Sequence, residues 1–325
     1  RFNSYFAEVG HRIAEELAGR RDGAAPPPRP PTVCSSAFTV RPATLPELSG
    51  ALKRMSGSRA TGSDGVSLQL IRRCLPVVGP HLLRIINSSI VTGKVPAVWK
   101  HARVVPIYKA GDRLQPASFR PVSVLSSVAK LAEKIISVQL CTYLTENNIM
   151  SPSQYAYRAH HSTESAVVDL VSTISSHREE GRLACLTSCD LSKAFDCVDR
   201  GVLFSKLGWY GISTHWFLDY FTGRTQSVGD STTADVTHGV VQGSTLGPIM
   251  YNILTNDLPC HLSHEASIVS YADDSQIIHS ARPTPSDLAQ LRLTVEADLS
   301  HGSLRTDLKS ILQKPSRYFL EPRRH

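Results

Sequence analysis

The sequence predicts an α+β fold, in which helices pack against sheets built largely of antiparallel strands. Residues 1–20 and 126–147 carry apolar side chains every three or four positions, as amphipathic helices do. Residues 268–278 instead place two runs rich in Ile and Val on either side of two acids, which is the pattern of a β-hairpin. With 325 residues, 41% of them hydrophobic, the chain has enough apolar surface for one large domain or two moderate ones.

The first hundred residues are predicted to be mainly helical. A Pro-rich run at 24–31 cannot lie inside a helix or a sheet, so we expect an extended linker there. Residues 44–55 have the apolar spacing of a short helix. Pro76 and Pro80 are expected to divide the next apolar stretch into two helices, over 68–73 and 81–91.

A hairpin and a long helix are predicted next. Residues 104–107 read Val-Val-Pro-Ile, and because proline cannot donate to a strand ladder, they predict a strand at a sheet edge. Residues 118–125 are predicted to be the return strand. Residues 126–147 form the longest predicted helix, with Glu133 expected on its polar face. Ser162 is a predicted N-cap of the following helix.

The second half alternates between strands and helices. A strand over 184–190 ends in Asp190, and two helices are expected over 202–207 and 214–221. Ser244 or Thr245 is expected to cap a helix that continues to residue 258. Residues 286–299 have the spacing of a helix that packs under a sheet.

The bulk composition restricts the partners. The net charge of +7 and the pI of about 9.1 suit a polyanion. The seven cysteines lack zinc-site spacing and predict reduced thiols in an intracellular protein. No stretch reaches 18 uninterrupted apolar residues, so no membrane partner is expected. Because the chain begins with Arg, we expect it to be a fragment of a longer polypeptide.

Three acids are predicted to form one site. Asp273 and Asp274 lie at the turn of the hairpin, and Asp190 ends a second strand. Like charges about 4 Å apart repel by roughly 4 kcal/mol at an effective dielectric near 20. Either water or a divalent cation relieves that repulsion, and an all-oxygen site suits Mg²⁺. Two such ions about 3.5–4 Å apart serve phosphoryl transfer in nucleases, cyclases and polymerases alike, and spacing alone does not separate these classes.

Three motifs that occur in a fixed order favour one of these enzyme classes. They are Tyr271-Ala272-Asp273-Asp274, the run from Asp190 to Asp196, and the run from Gln242 to Pro248. Together they closely resemble the reverse transcriptase domain of non-LTR (LINE-type) retrotransposons, best over 59–281. The resemblance implies a right-hand fold, with basic fingers and an antiparallel palm sheet backed by helices. The thumb is expected to be largely missing. The implied segments are an N-terminal extension with a Pro-rich linker (1–58), fingers (59–182), palm (183–310) and a basic tail (311–325).

The resemblance also implies roles for individual residues. Asp190, Asp273 and Asp274, with the backbone carbonyl of Leu191, would hold two Mg²⁺ ions, or Mn²⁺ in their place. The residues implied to surround the nucleotide or template are Lys109, Arg120, Ala194, Phe195, Gln242, Gly243 and Lys309. Among them, Phe195 is the steric gate against the ribose 2′-hydroxyl, and Lys309 is the candidate proton donor to pyrophosphate.

The implied reaction is RNA-templated DNA polymerisation from dNTPs onto a primer 3′-hydroxyl. Its partners are an RNA template and a DNA primer, and the implied location is intracellular, in nucleus and cytoplasm. Two positions depart from the family pattern, with Ala156 in place of Gly and Val241 in place of Pro. If that Gly required positive φ, Ala would cost about 1 kcal/mol. Three alternatives stay open: a truncated or decayed copy that binds RNA without polymerising, a DNA-templated polymerase, and a metal nuclease.

Overall fold

A computed structural model of the chain describes residues 1–18, 37–56, 60–190, 193–300 and 316–320. These residues fall into two compact units that alternate along the sequence. The first unit contains the described residues up to 149 and those of 195–250; the second contains the rest. Each unit holds one four-stranded sheet. The Pro-rich run at 24–31 lies outside the described residues, and the predicted segment boundaries stay predictions.

The described elements mix helices and strands, as predicted. The helices are α1 (Phe2–Ala18), α2 (Leu45–Arg54), α3 (Leu68–Thr92), α4 (Ala97–Lys100), α5 (Ser127–Glu146), α6 (Thr163–Glu179), α7 (Arg200–Trp209), α8 (His215–Phe221), α9 (Gly247–Thr255) and α10 (Pro285–Ser300). The strands are β1 (His101–Tyr108), β2 (Phe119–Val124), β3 (Leu183–Asp190), β4 (Thr225–Val228), β5 (Ala234–Asp235), β6 (Ser267–Tyr271), β7 (Asp274–Ala281) and β8 (Ser316–Leu320).

The sheet of the first unit has the order β2-β1-β4-β5. The β1–β2 pair is the predicted antiparallel hairpin, in which Pro106 lies opposite Pro121. β4 runs parallel to β1 and pairs only with residues 101–104. Pro106 therefore lies beyond the reach of β4, where its missing N–H leaves no ladder bond unmade. The predicted edge position is wrong, because β1 lies between β2 and β4; the half of β1 around Pro106 pairs with β2 alone.

The sheet of the second unit has the order β6-β7-β3-β8, and all of its neighbouring strands are antiparallel. The β6–β7 pair is the hairpin predicted from the acidic turn. α10 packs against β7 as predicted, and a small apolar core forms between the helix and the sheet. Its buried members are Cys185, Ala281, Leu291 and Val295.

One predicted helix break is wrong. Pro76 and Pro80 lie inside the single helix α3. An interior proline usually costs about 3 kcal/mol, because it removes a backbone donor and crowds the preceding turn. Here both prolines lie on the exposed side of the helix, where water can satisfy the freed carbonyls. Burial of Ile71 and Ile86 on the other side offsets the cost. By length and composition α3 could also cross a bilayer, a property that core helices share.

A second correction concerns α5, which was expected to turn Glu133 toward solvent. Glu133 is buried, with 1% of its surface exposed. The buried side of the helix is wider than the apolar stripe of the sequence indicated, because small residues such as Ala129 and Ala132 contribute to it. The buried carboxylate is satisfied by hydrogen bonds from the Thr245 N–H and the Tyr220 hydroxyl.

The helix caps agree with the sequence. Ser162 caps α6, as predicted, by accepting a backbone N–H three residues ahead. Ser126, for which no cap was predicted, does the same for α5. Ser244 accepts the N–H of Gly247, the first residue of α9, at 2.9 Å. That helix ends at Thr255, earlier than predicted. The described cysteines are free thiols, as expected.

Candidate functional site

Three acids lie at one end of the sheet in the second unit. β3 and β7 pair in a register that places Asp190 opposite Asp274. On its other side, Asp274 lies opposite Tyr271. Residues paired in this way have Cα atoms roughly 4.5–5.5 Å apart. Asp273 immediately precedes Asp274 in the turn of the hairpin.

The register therefore brings Asp190 close to Asp273 and Asp274, which lie far from it in the sequence. The backbone of Asp190 is described and its side chain is not, while Leu191 lies outside the described residues. Among the described side chains, no group of three or more His, Cys, Asp or Glu residues could hold a metal ion. Asp273 and Asp274 provide two carboxylates at this edge, and the third predicted carboxylate is known only from the position of its backbone.

The acidic turn is held from outside the hairpin. Ala272 adopts a φ of +58°, which is uncommon for a residue with a side chain. Oε1 of Gln154 accepts the N–H of Ala272 at 3.1 Å, and Nε2 of Gln154 donates to the Ala272 carbonyl at 3.4 Å. The N–H of Tyr155 also donates to the carbonyl of Ser270, at 2.9 Å. Nothing in the sequence pattern indicated that Gln154 contacts the turn.

Ala156, the predicted departure from the family pattern, causes no backbone strain. It is not among the described residues with positive φ; the neighbouring Tyr157 adopts φ +58° instead. Ala156 is buried, and its carbonyl accepts a hydrogen bond from Nδ2 of Asn252 at 2.8 Å. Tyr157 is about half exposed, and partial burial together with the nearby Asp273 carboxylate raises the pKa of its hydroxyl.

In the first unit, the Gln242-Gly243 loop packs directly on β2. Gly243 adopts a φ of +102°, and a Cβ atom there would lie 2.6 Å from the carbonyl oxygen of Ser123. The N–H of Ser123 donates to the carbonyl of Gln242 at 3.0 Å. Nε2 of Gln242 donates to Oδ1 of Asp196 at 2.8 Å. Only glycine satisfies both the backbone conformation and the close approach.

A backbone hydrogen bond connects Phe195 to Val240, which lies just before the Gln242-Gly243 loop. The carbonyl of Phe195 accepts the N–H of Val240 at 2.8 Å. The partly buried guanidinium of Arg200 donates to four backbone carbonyls, those of Phe221, Val236, His238 and Gly239, at 2.7–3.2 Å. Burial and the positive charge of Arg224 lower the pKa of Arg200 to about 10. Because Arg200 is the first residue of α7, that helix is hydrogen-bonded to the chain that leads into the Gln242-Gly243 loop.

Glu133 fixes the other end of the loop. Its Oε2 accepts the N–H of Thr245 at 2.7 Å, and its Oε1 accepts the hydroxyl of Tyr220 at 2.7 Å. Nη1 of Arg224 donates to the Tyr220 carbonyl at 3.0 Å and places its charge near the carboxylate. Burial raises the pKa of Glu133, although the hydrogen bonds and Arg224 oppose that shift. Nothing in the polar residue pattern of α5 indicated this network.

One face of the β1–β2 hairpin is exposed, apolar and edged by cations. Arg103, Val105 and Ile107 of β1 lie opposite Val124, Val122 and Arg120 of β2, so all six share a face. Half of the Ile107 surface is exposed, and Arg120 and Lys109 are exposed as well. The N–H of Lys109 donates to the carbonyl of Ser118 at 2.9 Å and continues the hairpin. Such a face suits a flat base together with a phosphate group.

The structure thus brings the predicted residues into two groups, each within one unit. The second unit contains Asp190, Asp273 and Asp274, together with the buried Ala194. The first unit contains Phe195, Gln242, Gly243, Lys109 and Arg120. Lys309 lies outside the described residues.

Comparisons with known proteins identify what the chain is similar to. The profile of the reverse transcriptase (RNA-dependent DNA polymerase) family matches residues 107–309. A probable RNA-directed DNA polymerase from transposon BS of Drosophila melanogaster is 30% identical over 265 residues, which is 77% of this chain and 29% of that protein. The Pol polyprotein from retrotransposable element R2 of Popillia japonica is 31% identical over 245 residues, covering 71% of this chain and 32% of that protein. The polymerase from the mobile element jockey of Drosophila melanogaster is 27% identical over 252 residues, 74% of this chain and 28% of that protein. The chain therefore spans about a third or less of the length of these relatives.

Proposed function

Because the chain belongs to the reverse transcriptase family, as a domain of the non-LTR retrotransposon type, we propose that it copies RNA into DNA by extending a primer. The substrates are dNTPs, an RNA template and a DNA primer with a free 3′-hydroxyl. The observation that carries the proposal is the strand register that sets Asp190 opposite Asp274, beside the Asp273 turn. We place this activity inside the cell, in nucleus and cytoplasm.

The acidic edge has the donor chemistry for divalent cations. Asp190, Asp273 and Asp274, with the carbonyl of Leu191, would hold two Mg²⁺ ions through oxygen atoms alone, and Mn²⁺ accepts the same ligands. The charge repulsion between adjacent carboxylates also favours a bound cation. When bound, such ions stabilise the charge that develops on the attacking and leaving oxygens of phosphoryl transfer.

The residues of the first unit would bind and select the nucleotide. Arg120 and Lys109 carry the exposed charges for a triphosphate or template phosphate, and arginine adds a planar fork of donors. Phe195 would close the space under the sugar C2′ and so exclude a 2′-hydroxyl. Gln242 and Gly243 would lie beside the base, where the missing side chain of Gly243 permits close backbone approach.

In this proposal the two sheets correspond to the parts of a right-hand polymerase. The sheet that contains β1 and β2 is the fingers, and the antiparallel sheet with the acids, packed against α6 and α10, is the palm. Lys309 remains the candidate proton donor to pyrophosphate. The RNA partner binds mainly through phosphate charge, in keeping with the basic composition.

The alternative of a decayed, RNA-binding copy loses one of its arguments. It relied in part on Ala156 as a strained replacement for glycine, and that residue is not among those with positive φ in the described chain. The Val241 replacement still favours it.

Primer extension on poly(rA)/oligo(dT) with Mg²⁺ tests the proposal. We expect wild-type protein and the exposed-loop control Asp230→Asn to extend the primer, and Asp273→Asn to lose at least 100-fold in rate, on the order of the effect of losing a catalytic charge. Absence of extension with salt-sensitive RNA binding would support the decayed copy. Faster extension on DNA templates would indicate a DNA-templated polymerase, and strand cleavage without dNTP a nuclease.

A further inference from the structure

The acidic turn of the second unit is unfavourable on local grounds. Two-residue hairpin turns prefer Asn or Gly at the first central position, where φ is positive. This turn has Ala272 there, at φ +58°, and its neighbours Asp273 and Asp274 repel one another. A contact from elsewhere in the unit is therefore needed to hold the turn in one conformation.

Gln154 provides that contact. It is 5% exposed, and its side-chain amide uses both of its ends on the backbone of Ala272. The same Oε1 atom also accepts the N–H of Ala156 at 2.9 Å, which fixes the orientation of the amide. We call the Gln154 side-chain amide the clamp, because it binds both the N–H and the carbonyl of Ala272, the residue that precedes the two acids.

The segment that carries Gln154 is itself anchored. Nη1 of Arg158 donates to the carbonyl of Gln154 at 3.0 Å. The hydroxyl of Tyr155 donates to Oδ2 of Asp169 on α6 at 2.8 Å. Because Tyr155, next to Gln154, is hydrogen-bonded to α6, the position of α6 helps to determine the position of Ala272.

We propose that Gln154 is a positioning residue that sets the divalent-cation affinity of the acidic turn. This inference rests on the proposed function, since it assigns Gln154 a purpose at the same metal-binding edge. Residues that orient metal ligands typically contribute 10- to 100-fold to metal affinity or activity. A residue that only filled the core would alter unfolding without altering cation affinity in the folded protein.

The test replaces Gln154 by Met, which has similar length and volume but no amide. The matched control is Gln139→Met, because Gln139 makes the same pair of bonds to the N–H and carbonyl of Arg41, in the first unit. The probe is Mn²⁺ alone, with free Mn²⁺ measured by electron paramagnetic resonance. Asp273→Asn defines how much of the binding belongs to the acidic turn, and hydrogen exchange at the Ala272 amide reports on the clamp.

We expect Gln154→Met to weaken Asp273-dependent Mn²⁺ binding roughly 10-fold and to speed exchange at Ala272, while Gln139→Met does neither. An affinity within two-fold of the control would overturn the inference. If Gln154→Met does not unfold cooperatively, Gln154→Asn takes its place, since it keeps the amide but shortens its reach. Primer extension is measured separately. Weakened Mn²⁺ binding by Gln154→Met, in a protein whose wild type does not extend primers, would refute the polymerase proposal and leave the positioning role standing.

Discussion

The buried Glu133 allows a prediction whose magnitude follows from its contacts. Glu133→Ala leaves the Thr245 N–H and the Tyr220 hydroxyl without their acceptor. Each unsatisfied buried donor costs about 1–3 kcal/mol. The charge of Arg224 also loses its buried counter-charge, and breaking such a pair from one side costs about 3–5 kcal/mol. Since these costs overlap, we expect the free energy of unfolding to fall by about 4–6 kcal/mol, a large part of the roughly 5–15 kcal/mol of a typical domain.

Glu133→Gln should be far milder. The amide oxygen can still accept from Thr245, and the Tyr220 hydroxyl can reverse its role and accept from the amide nitrogen. Only the charge is lost, so we expect a cost of about 1–2 kcal/mol. The contrast between Ala and Gln separates hydrogen-bond satisfaction from side-chain charge.

Urea unfolding followed by tryptophan fluorescence measures both variants. Trp216 stacks on Tyr220 with ring centroids 5.1 Å apart, so the signal reports on the same region. Glu146→Ala, at an exposed position on the same helix, is the control and should change stability by less than about 0.5 kcal/mol. Equal destabilisation by Ala and Gln would refute the reasoning, because the hydrogen bonds would then contribute nothing beyond the charge.

Three further predictions concern other parts of the chain. Gly243→Ala should lower primer extension at least 10-fold, because the added Cβ would lie 2.6 Å from Ser123; Gly229→Ala, with φ +55° and open space around it, should cost only about 1 kcal/mol of stability and leave extension unchanged. Phe195→Val should admit ribonucleotides in a steady-state comparison of dNTP and rNTP use, and unchanged discrimination would remove Phe195 from the gate role. Glu47 has its pKa lowered to about 2, chiefly by its hydrogen bond to Arg41, so its contribution to stability is present above its ordinary pKa of 4.5 and is lost as pH falls toward 2. The ion pair is largely exposed, so Glu47→Gln should cost less than about 1 kcal/mol in thermal unfolding at pH 6 and nothing near pH 2; an equal difference at both pH values would contradict this assignment.

Local sequence patterns were sufficient to predict most of the helices and strands. The hairpin around Asp273 follows from two β-branched runs that flank a turn, and the cap of α6 follows from a serine three residues before a free N–H. The predicted break of α3 into two helices was wrong, because the rule that proline ends a helix considers only the helix backbone. It ignores the water on the exposed side and the apolar burial on the other.

Contacts between distant segments were beyond local reasoning. The pairing of β3 with β7 and β8, and the contact of Gln154 with Ala272, join residues separated by 84 positions or more. Glu133 is a third case, since an acid on a helix is usually solvated, and only the folded chain reveals which backbone N–H it accepts. The resemblance to reverse transcriptase motifs assigned Asp190, Asp273 and Asp274 to one proposed site. The strand register then placed their backbones at one end of the same sheet.

Iron-directed cleavage would test the convergence of the acids most directly. Fe²⁺ binds oxygen sites of the Mg²⁺ type, and with ascorbate and peroxide it generates radicals that cut the backbone nearby. The account predicts cuts around both Asp190 and Asp273, identified by mass spectrometry, and predicts that excess Mg²⁺ suppresses both. Cuts confined to the hairpin, with the segment around Asp190 intact, would contradict it.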